Sequence, residues 1–432
     1  MSNAKVFLWN SEVGIASWDS NRNISSFRYN PDFITSELQL SPLVMPLNKN
    51  PYNFPELEFI TFKGLPGLLM DSLPDKFGNK VIDKWLVMQN RDETSFNPID
   101  RLCFIGNRGM GALEYEPSIL DSPSKNSKLE MSKMVGLANK ILDQREYSVD
   151  SFIKYNNQDN MGDIIWAGTS AGGSRAKAII AWNEISKEFI PEQLSLPPGF
   201  EHWLIKFDGI KNNRDKERTD PMGYGKIEYA YYLMALKAGI KMSECRLYNE
   251  NERNHFITKR FDRNPNGSKI HMQSLCAIAH MDFNQVGRYS YEDAIHVMNL
   301  LHLPQEDLEQ FVLRALFNVV GRNQDDHVKN IAFLMSQDSE WRLSPAYDVT
   351  YAYDPTGKWT NQHQMSINGK RDNFVKEDFY SLSSCFGINK THVNELLDRV
   401  IQSIKTWPDF AMKVGIDEKY VLQIHATHRL SF

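Results

Sequence analysis

At 432 residues, with 41% hydrophobic and 12% aromatic residues, the chain exceeds what one hydrophobic core holds, and two or three domains are expected. A net charge of −5 with both signs interspersed excludes nucleic-acid binding through bulk basicity and leaves only a local basic patch open. Cys103, Cys245, Cys276 and Cys385 have no paired spacing, which excludes a disulfide frame or zinc site and suits a reducing cytoplasm; no apolar run reaches the roughly 18 residues of a membrane span, and no secretory apolar stretch opens the chain.

Residues 5–9 predict a strand, 10–14 a turn, 15–18 the returning strand and 27–29 a third. Residues 64–69 read as a loop whose apolar side chains need burial, and 77–87 carry helical spacing. A flexible segment at 106–111 precedes a strand at 112–115, and Ser- and Lys-rich 122–128 reads as a linker. Met134, Leu137, Ala138, Ile141 and Leu142 predict a helix within 130–156. Strands are expected at 178–182, 202–207 and 255–261, with an amphipathic helix at 227–238 between the last two. Beyond that the pattern turns helical, through 290–320 and 391–406. The division expected is a strand-rich part at 1–120, a mixed part at 121–264 and a helical part at 265–432.

Residues 168–177 read Gly168-Thr169-Ser170-Ala171-Gly172-Gly173-Ser174-Arg175-Ala176-Lys177. They lack the Gly-Lys-Ser/Thr ending of a Walker loop and precede a strand instead of a helix. A Gly-rich turn between strands is how kinases cover a triphosphate, with backbone N–H groups on phosphate oxygens and Lys177 adding charge. The plainer reading is a flexible hairpin. Lys206 lies inside an apolar strand and must point outward or meet an anion. In a kinase such a lysine holds phosphates and pairs with a helix glutamate, for which Glu228 is the candidate. Otherwise Lys206 faces solvent.

The stretch Asn323-Gln324-Asp325-Asp326-His327-Val328-Lys329-Asn330 is more specific. A kinase catalytic loop places its base Asp five residues before a magnesium-binding Asn, which Asp325 and Asn330 satisfy and Asp326 does not. Lys329 is placed to neutralise charge developing on a transferred phosphoryl group. Asp348, after a short strand, suits a second magnesium ligand. The plainer readings are a hydrated turn capping a helix and a turn Asp beside proline.

Taken together, these segments resemble the HipA family of toxin kinases from bacterial toxin–antitoxin pairs. The likeness is carried by residues 64–75, by 106–117, by Gly172-Gly173-Ser174-Arg175-Ala176-Lys177, by Lys206, by Arg260-Phe261-Asp262-Arg263, and by the stretches 325–330 and 343–348. It implies an α+β, atypical protein-kinase-like fold of two lobes, with a strand-rich N-terminal subdomain and a mainly helical C-terminal lobe. It further implies a cytoplasmic serine/threonine protein kinase using ATP and Mg²⁺. Asp325 then matches the family's base, Asn330 and Asp348 its metal ligands, and Lys206 and 172–177 its phosphate clamp. Lys259-Arg260-Phe261 matches the adenine-reading hinge, while His327, Val328, Lys329 and Tyr347 join the nucleotide contacts. Ser170, with Thr169 beside it, matches the site whose autophosphorylation silences the enzyme by charge repulsion. Arg175 and Ala176 depart from the family's usual loop. The implied partners are a small DNA-binding antitoxin, operator DNA reached mainly through it, and a protein substrate such as an aminoacyl-tRNA synthetase; no membrane is involved. The alternatives are a catalytically silent corepressor and a small-molecule kinase; residues 64–75 fit the latter poorly.

Overall fold

A computed structural model of the protein describes residues 2–120, 128–142, 161–169, 175–210, 223–385 and 387–432. The chain divides into two compact units, one of Met1–Asp220 with Ile257–Met272, the other of Pro221–Phe256 with Gln273–Phe432.

The first unit opens with strands β1 (Asn3–Leu8), β2 (Ser11–Asp19) and β3 (Ile24–Tyr29). They join β4 (Leu113–Glu116) in an antiparallel sheet of order β3-β2-β1-β4. Alternation drives burial: Ala4, Val6 and Leu8 point inward while Lys5 faces solvent. The turn is tighter than the sequence suggests. Trp9 and Asn10, with φ of 48° and 67°, form a two-residue hairpin connection, and the return begins at Ser11. Gly14, expected in the turn, instead lies within β2, where a Cβ would come 2.2 Å from the Arg28 carbonyl oxygen.

Helix α1 (Lys76–Met88) is capped by Asp75, whose side chain accepts from the Gly78 N–H at 2.6 Å. The expected loop at 64–69 includes the start of a helical turn, Gly67–Met70, and its apolar side chains are buried as required. Helix α2 (Pro98–Ile105) goes unassigned in the sequence reading. Its Asn97–Asp100 capping box and Pro98 at the first turn are the local signals for it.

Helix α3 (Met131–Leu142) covers the start of the predicted 130–156 helix, whose remainder lies outside the described residues, as do 122–127 of the expected linker. Helix α4 (Met161–Gly168) comes next, then strands β5 (Lys177–Asn183), β6 (Glu188–Pro191) and β7 (Glu201–Lys206). The Gly-rich stretch therefore leads from a helix to a strand, not between two strands. β5 pairs antiparallel with both β6 and β7.

In the second unit, α5 (Tyr224–Lys237) precedes β8 (Cys245–Glu250), and within β9 (Arg253–Lys259) the chain crosses back to the first. It returns through β10 (His271–Ser274). The helical run splits at Pro304 into α6 (Tyr291–Leu300) and α7 (Gln305–Val320). A hairpin of β11 (Ala332–Met335) and β12 (Trp341–Leu343) follows. Four helices close the chain: α8 (Lys376–Ser384), α9 (Lys390–Ile404), α10 (Trp407–Lys413) and α11 (Glu418–His425). The 323–330 stretch thus connects α7 to β11.

Candidate active site

Gly321 ends α7, and Arg322 turns the chain with φ of 59°. The Asn323 N–H donates to the Asn318 carbonyl (2.9 Å) and the Gln324 N–H to that of Ala352 (3.1 Å), so the loop starts from fixed backbone. The two acids that follow have opposite environments. Asp326 is 4% exposed, and its carboxylate accepts from Tyr291 Oη–H (2.8 Å), His363 Nδ1 (2.7 Å) and the Gln364 N–H (2.7 Å). Arg429 donates to His363 Nε2 at 3.2 Å, which assigns the imidazole proton to Nδ1, facing Asp326. Burial pushes the Asp326 carboxyl up, but the His363 ring and the donors on it hold it below the usual carboxylate range. By contrast, the Asp325 side chain keeps 36% of its surface in water, with His327 Nε2 3.9 Å from its Oδ1.

One turn of 3₁₀ helix at Val328–Asn330 then carries the loop into β11. Asn330 Nδ2 donates to the Asp325 carbonyl at 2.9 Å, closing the five-residue span and leaving Asn330 Oδ1 as an acceptor. Tyr347 Oη donates to the Lys329 carbonyl at 2.8 Å and braces the same turn. Val328 is 1% exposed and anchors the turn in the interior. Lys329 Nζ and the His327 ring both rest against Phe283, 5.3 Å and 5.5 Å from its centroid. Asp348 holds φ of 53°, a left-handed conformation that few residues other than glycine, asparagine and aspartate adopt.

The first unit holds the nucleotide-clamp candidates. In the β5–β7 ladder Lys177 stands directly opposite Lys206, placing two ammonium-bearing side chains on one face. Lys177 is 3% exposed, with Nζ 3.9 Å from Asp75 Oδ2, the carboxylate that caps α1. Residues 170–174, and with them Ser170, Gly172, Gly173 and Ser174, lie outside the described residues. Arg175 and Ala176 are described, and Ala176 is buried. Thr169 is 0% exposed, and its hydroxyl donates to the Ile165 carbonyl (3.0 Å) while accepting from Arg108 Nη1 (3.1 Å). Glu228, the expected partner of Lys206, is buried in α5 of the second unit.

Of the hinge residues, Lys259 pairs with Glu201 at 2.5 Å. The Arg260 side chain turns into the interior, bidentate on Asp262 (2.9 and 2.6 Å) and on Glu192 at 2.5 Å, while its N–H donates to His202 O. Arg263 takes a second face of Asp262 at 2.9 Å. Burial favours the neutral acid at Asp262, yet the two guanidiniums hold it far below the carboxylate range. The 106–111 segment, expected to be flexible, is tied to this cluster. The Gly111 N–H donates to Asp262 at 2.6 Å, and the Gly109 and Gly111 carbonyls accept from Arg260 and Arg263 at 2.9–3.0 Å.

The sequence reading passes over Asp326 as a neighbour and gives no role to Tyr291, His363, Asp75 or Glu192. Only Asp326 lies within a stretch singled out for chemistry, and Asp75 within one quoted for resemblance; nothing local marks the other three. Among the described residues no three acids, histidines or cysteines cluster as a metal cage, and no helix is long and apolar enough to cross a membrane. A magnesium ion needs no such cage, since it is commonly held by one or two protein oxygens with substrate phosphates and water completing its shell. The Asp348 carboxylate and Asn330 Oδ1 are the right donor types.

Residues 4–116 match the family model described as the HipA N-terminal domain, and residues 169–407 match the HipA-like C-terminal domain. A solved structure of the Shewanella oneidensis toxin–antitoxin complex of HipA, HipB and operator DNA aligns with a TM-score of 0.67 at 18% identity, covering 98% of this chain and 96% of that one. That similarity shows the fold. A Helicobacter pylori proinflammatory kinase, CtkA, aligns over 52% of this chain and 84% of its own at 12% identity, and its TM-score of 0.35 carries no argument. No curated protein sequence matches.

Proposed function

The chain belongs to the HipA family, and from that premise we propose that it is an ATP- and Mg²⁺-dependent serine/threonine protein kinase acting as the toxin of a toxin–antitoxin pair. The observation that carries the kinase reading is the split between neighbouring acids: Asp326 is buried under three donors while Asp325 stays in water on the loop it anchors. A hydrated turn needs no such division. A catalytic loop does, because the base must be presented at a fixed point.

Asp325 orients the incoming Ser or Thr hydroxyl and accepts its proton as the oxygen attacks the γ-phosphorus and the bond to ADP breaks. Asn330 Oδ1 and Asp348 would hold the metal, and Mg²⁺ bound there would supply charge neutralisation for the transferred phosphoryl group. Lys206 holds phosphate oxygens. Lys177 reinforces that charge from across the ladder, backed by the backbone of the Gly-rich loop. His327, Lys329 and the Val328 and Tyr347 backbones complete the nucleotide contacts, with the 259–261 backbone at the base edge. Autoregulation falls to Ser170 and not Thr169, whose hydroxyl is buried and already bonded.

We further assign a small DNA-binding antitoxin as partner, with operator DNA reached mainly through it. The net charge of −5 supports this indirect route, as does the HipB and operator DNA in the Shewanella complex. The substrate is a cytoplasmic protein, with a translation component such as an aminoacyl-tRNA synthetase the first to try. The test is Asp325→Asn with labelled ATP and the purified chain. Phosphoryl transfer should fall by about 10²–10⁴-fold, the usual worth of a positioned base, and undiminished transfer overturns the assignment.

A further inference from the structure

The first unit contains a cavity of about 410 Å³ that the phosphoryl-transfer reading does not use. Its wall is apolar along Trp166, Ile190, Leu194 and Leu196, and cationic where Arg108 and Arg263 line it. Arg108 is 5% exposed, stacked on the Trp166 ring at 4.2 Å. Each of its hydrogen bonds goes to a neutral oxygen: the carbonyls of Ile105 (3.0 Å), Trp166 (2.9 Å) and Phe104, and the Thr169 hydroxyl (3.1 Å). Among the described residues no carboxylate forms an ion pair with it.

The nearby acids are taken. Glu192, which also lines the cavity, accepts from Arg260 at 2.5 Å and binds His202 Nδ1 at 2.7 Å, with Arg263 Nε 3.9 Å away. Asp262 is shared by Arg260 and Arg263, and Lys269 has its own acid in Glu114 at 2.8 Å. Three buried guanidiniums thus share two buried carboxylates, and the surplus charge sits on the cavity wall. A buried cation without a counter-ion is costly, and an anion is the natural complement. Burial pushes the Arg108 guanidinium down to about 9, against the attraction of Glu192.

We propose that this cavity binds a small molecule bearing one carboxylate or phosphate on a compact apolar body. The guanidinium of Arg108, helped by Arg263, takes the anion. Trp166 and the leucine wall take the body, the mix of apolar surface and few convergent polar groups that ligand sites share. Arg108 also bonds Thr169, directly after α4, so the ligand would lie against the root of the Gly-rich segment.

The test uses full-length Ser170→Ala protein, so that no phosphate comes from that serine. It is titrated calorimetrically with phenyl phosphate and with inorganic phosphate, both with ADP at saturation. Phenyl phosphate should bind saturably at one site and at least about tenfold more tightly than inorganic phosphate. Arg108→Met and Leu196→Trp should each weaken it by at least about tenfold. Leu196 is only half-buried, so filling the cavity there keeps the test decisive if Arg108→Met does not fold. Absence of saturable binding, or equal binding by the Leu196→Trp protein, overturns the proposal. None of these readouts requires phosphoryl transfer.

Discussion

Replacing Asp326 by alanine removes one acceptor from three donors at once: Tyr291 Oη–H, His363 Nδ1–H and the Gln364 N–H. The Asp326 and His363 side chains each keep only 1% of their surface exposed, so water reaches little of the site. Each orphaned buried donor costs about 1–3 kcal/mol. A water entering the vacated volume recovers part of that, giving about 3–5 kcal/mol, the range for a broken buried ionic contact. Asp326→Asn keeps the shape and one acceptor oxygen and should lose about 2 kcal/mol. Because a two-unit chain has no single unfolding free energy, the assay is hydrogen–deuterium exchange on peptides spanning 323–331 and 363–366. Protection there should fall by roughly two to four orders of magnitude in the alanine protein, with phosphoryl transfer falling alongside although Asp325 is intact. A loss below about 1 kcal/mol would refute the anchoring role. The pH dependence has a definite sign. The folded Asp326 carboxyl titrates below its ordinary value, so its stabilisation is full above about pH 4 and disappears as pH falls through the folded value. Asp326→Asn should flatten that acid limb.

Lys206→Met removes one of two like charges facing each other on β5 and β7. Stabilisation by ATP, read as a melting-temperature rise, should largely vanish in that protein; unchanged ATP stabilisation would contradict the clamp assignment. Asp348→Gly keeps the left-handed backbone at φ of 53° while removing the carboxylate, and should abolish Mg²⁺-dependent transfer; a protein still active with Mg²⁺ would remove Asp348 from the metal site. After incubation with ATP, peptide mass spectrometry should locate phosphate on Ser170 and none on Thr169, and phosphate on Thr169 would show that its buried hydroxyl becomes accessible.

Local spacing is legible in the sequence. The five-residue gap from Asp325 to Asn330 is the span that the Asn330 amide closes on the Asp325 carbonyl. Alternation in β1 and helical spacing in α1 likewise declare themselves. Long-range partners do not. Asp326 meets His363 and Gln364 nearly forty positions on, and no spacing rule connects them. The 106–111 segment reads as loose because glycines permit many conformations, yet its carbonyls are fixed by arginines more than 150 residues away. Gly14 misleads for a related reason: glycine marks a turn or a close backbone approach, and only the neighbouring strand tells which.

The arginine–carboxylate cluster bears on where this protein can be cut. Family boundaries place residues 4–116 in a module of their own. Yet Gly109 and Gly111 are bonded to Arg260, Asp262 and Arg263, the Asn107 carbonyl to Lys269 at 2.6 Å, and Trp9 Nε1 to the Lys269 carbonyl at 2.8 Å. Expressing the rest without that segment would strand buried guanidiniums with their carbonyl caps gone. The inherited module and the folding unit are therefore different objects: a protease nick after residue 120 should leave two fragments that copurify, whereas deleting the first of them should leave an insoluble remainder.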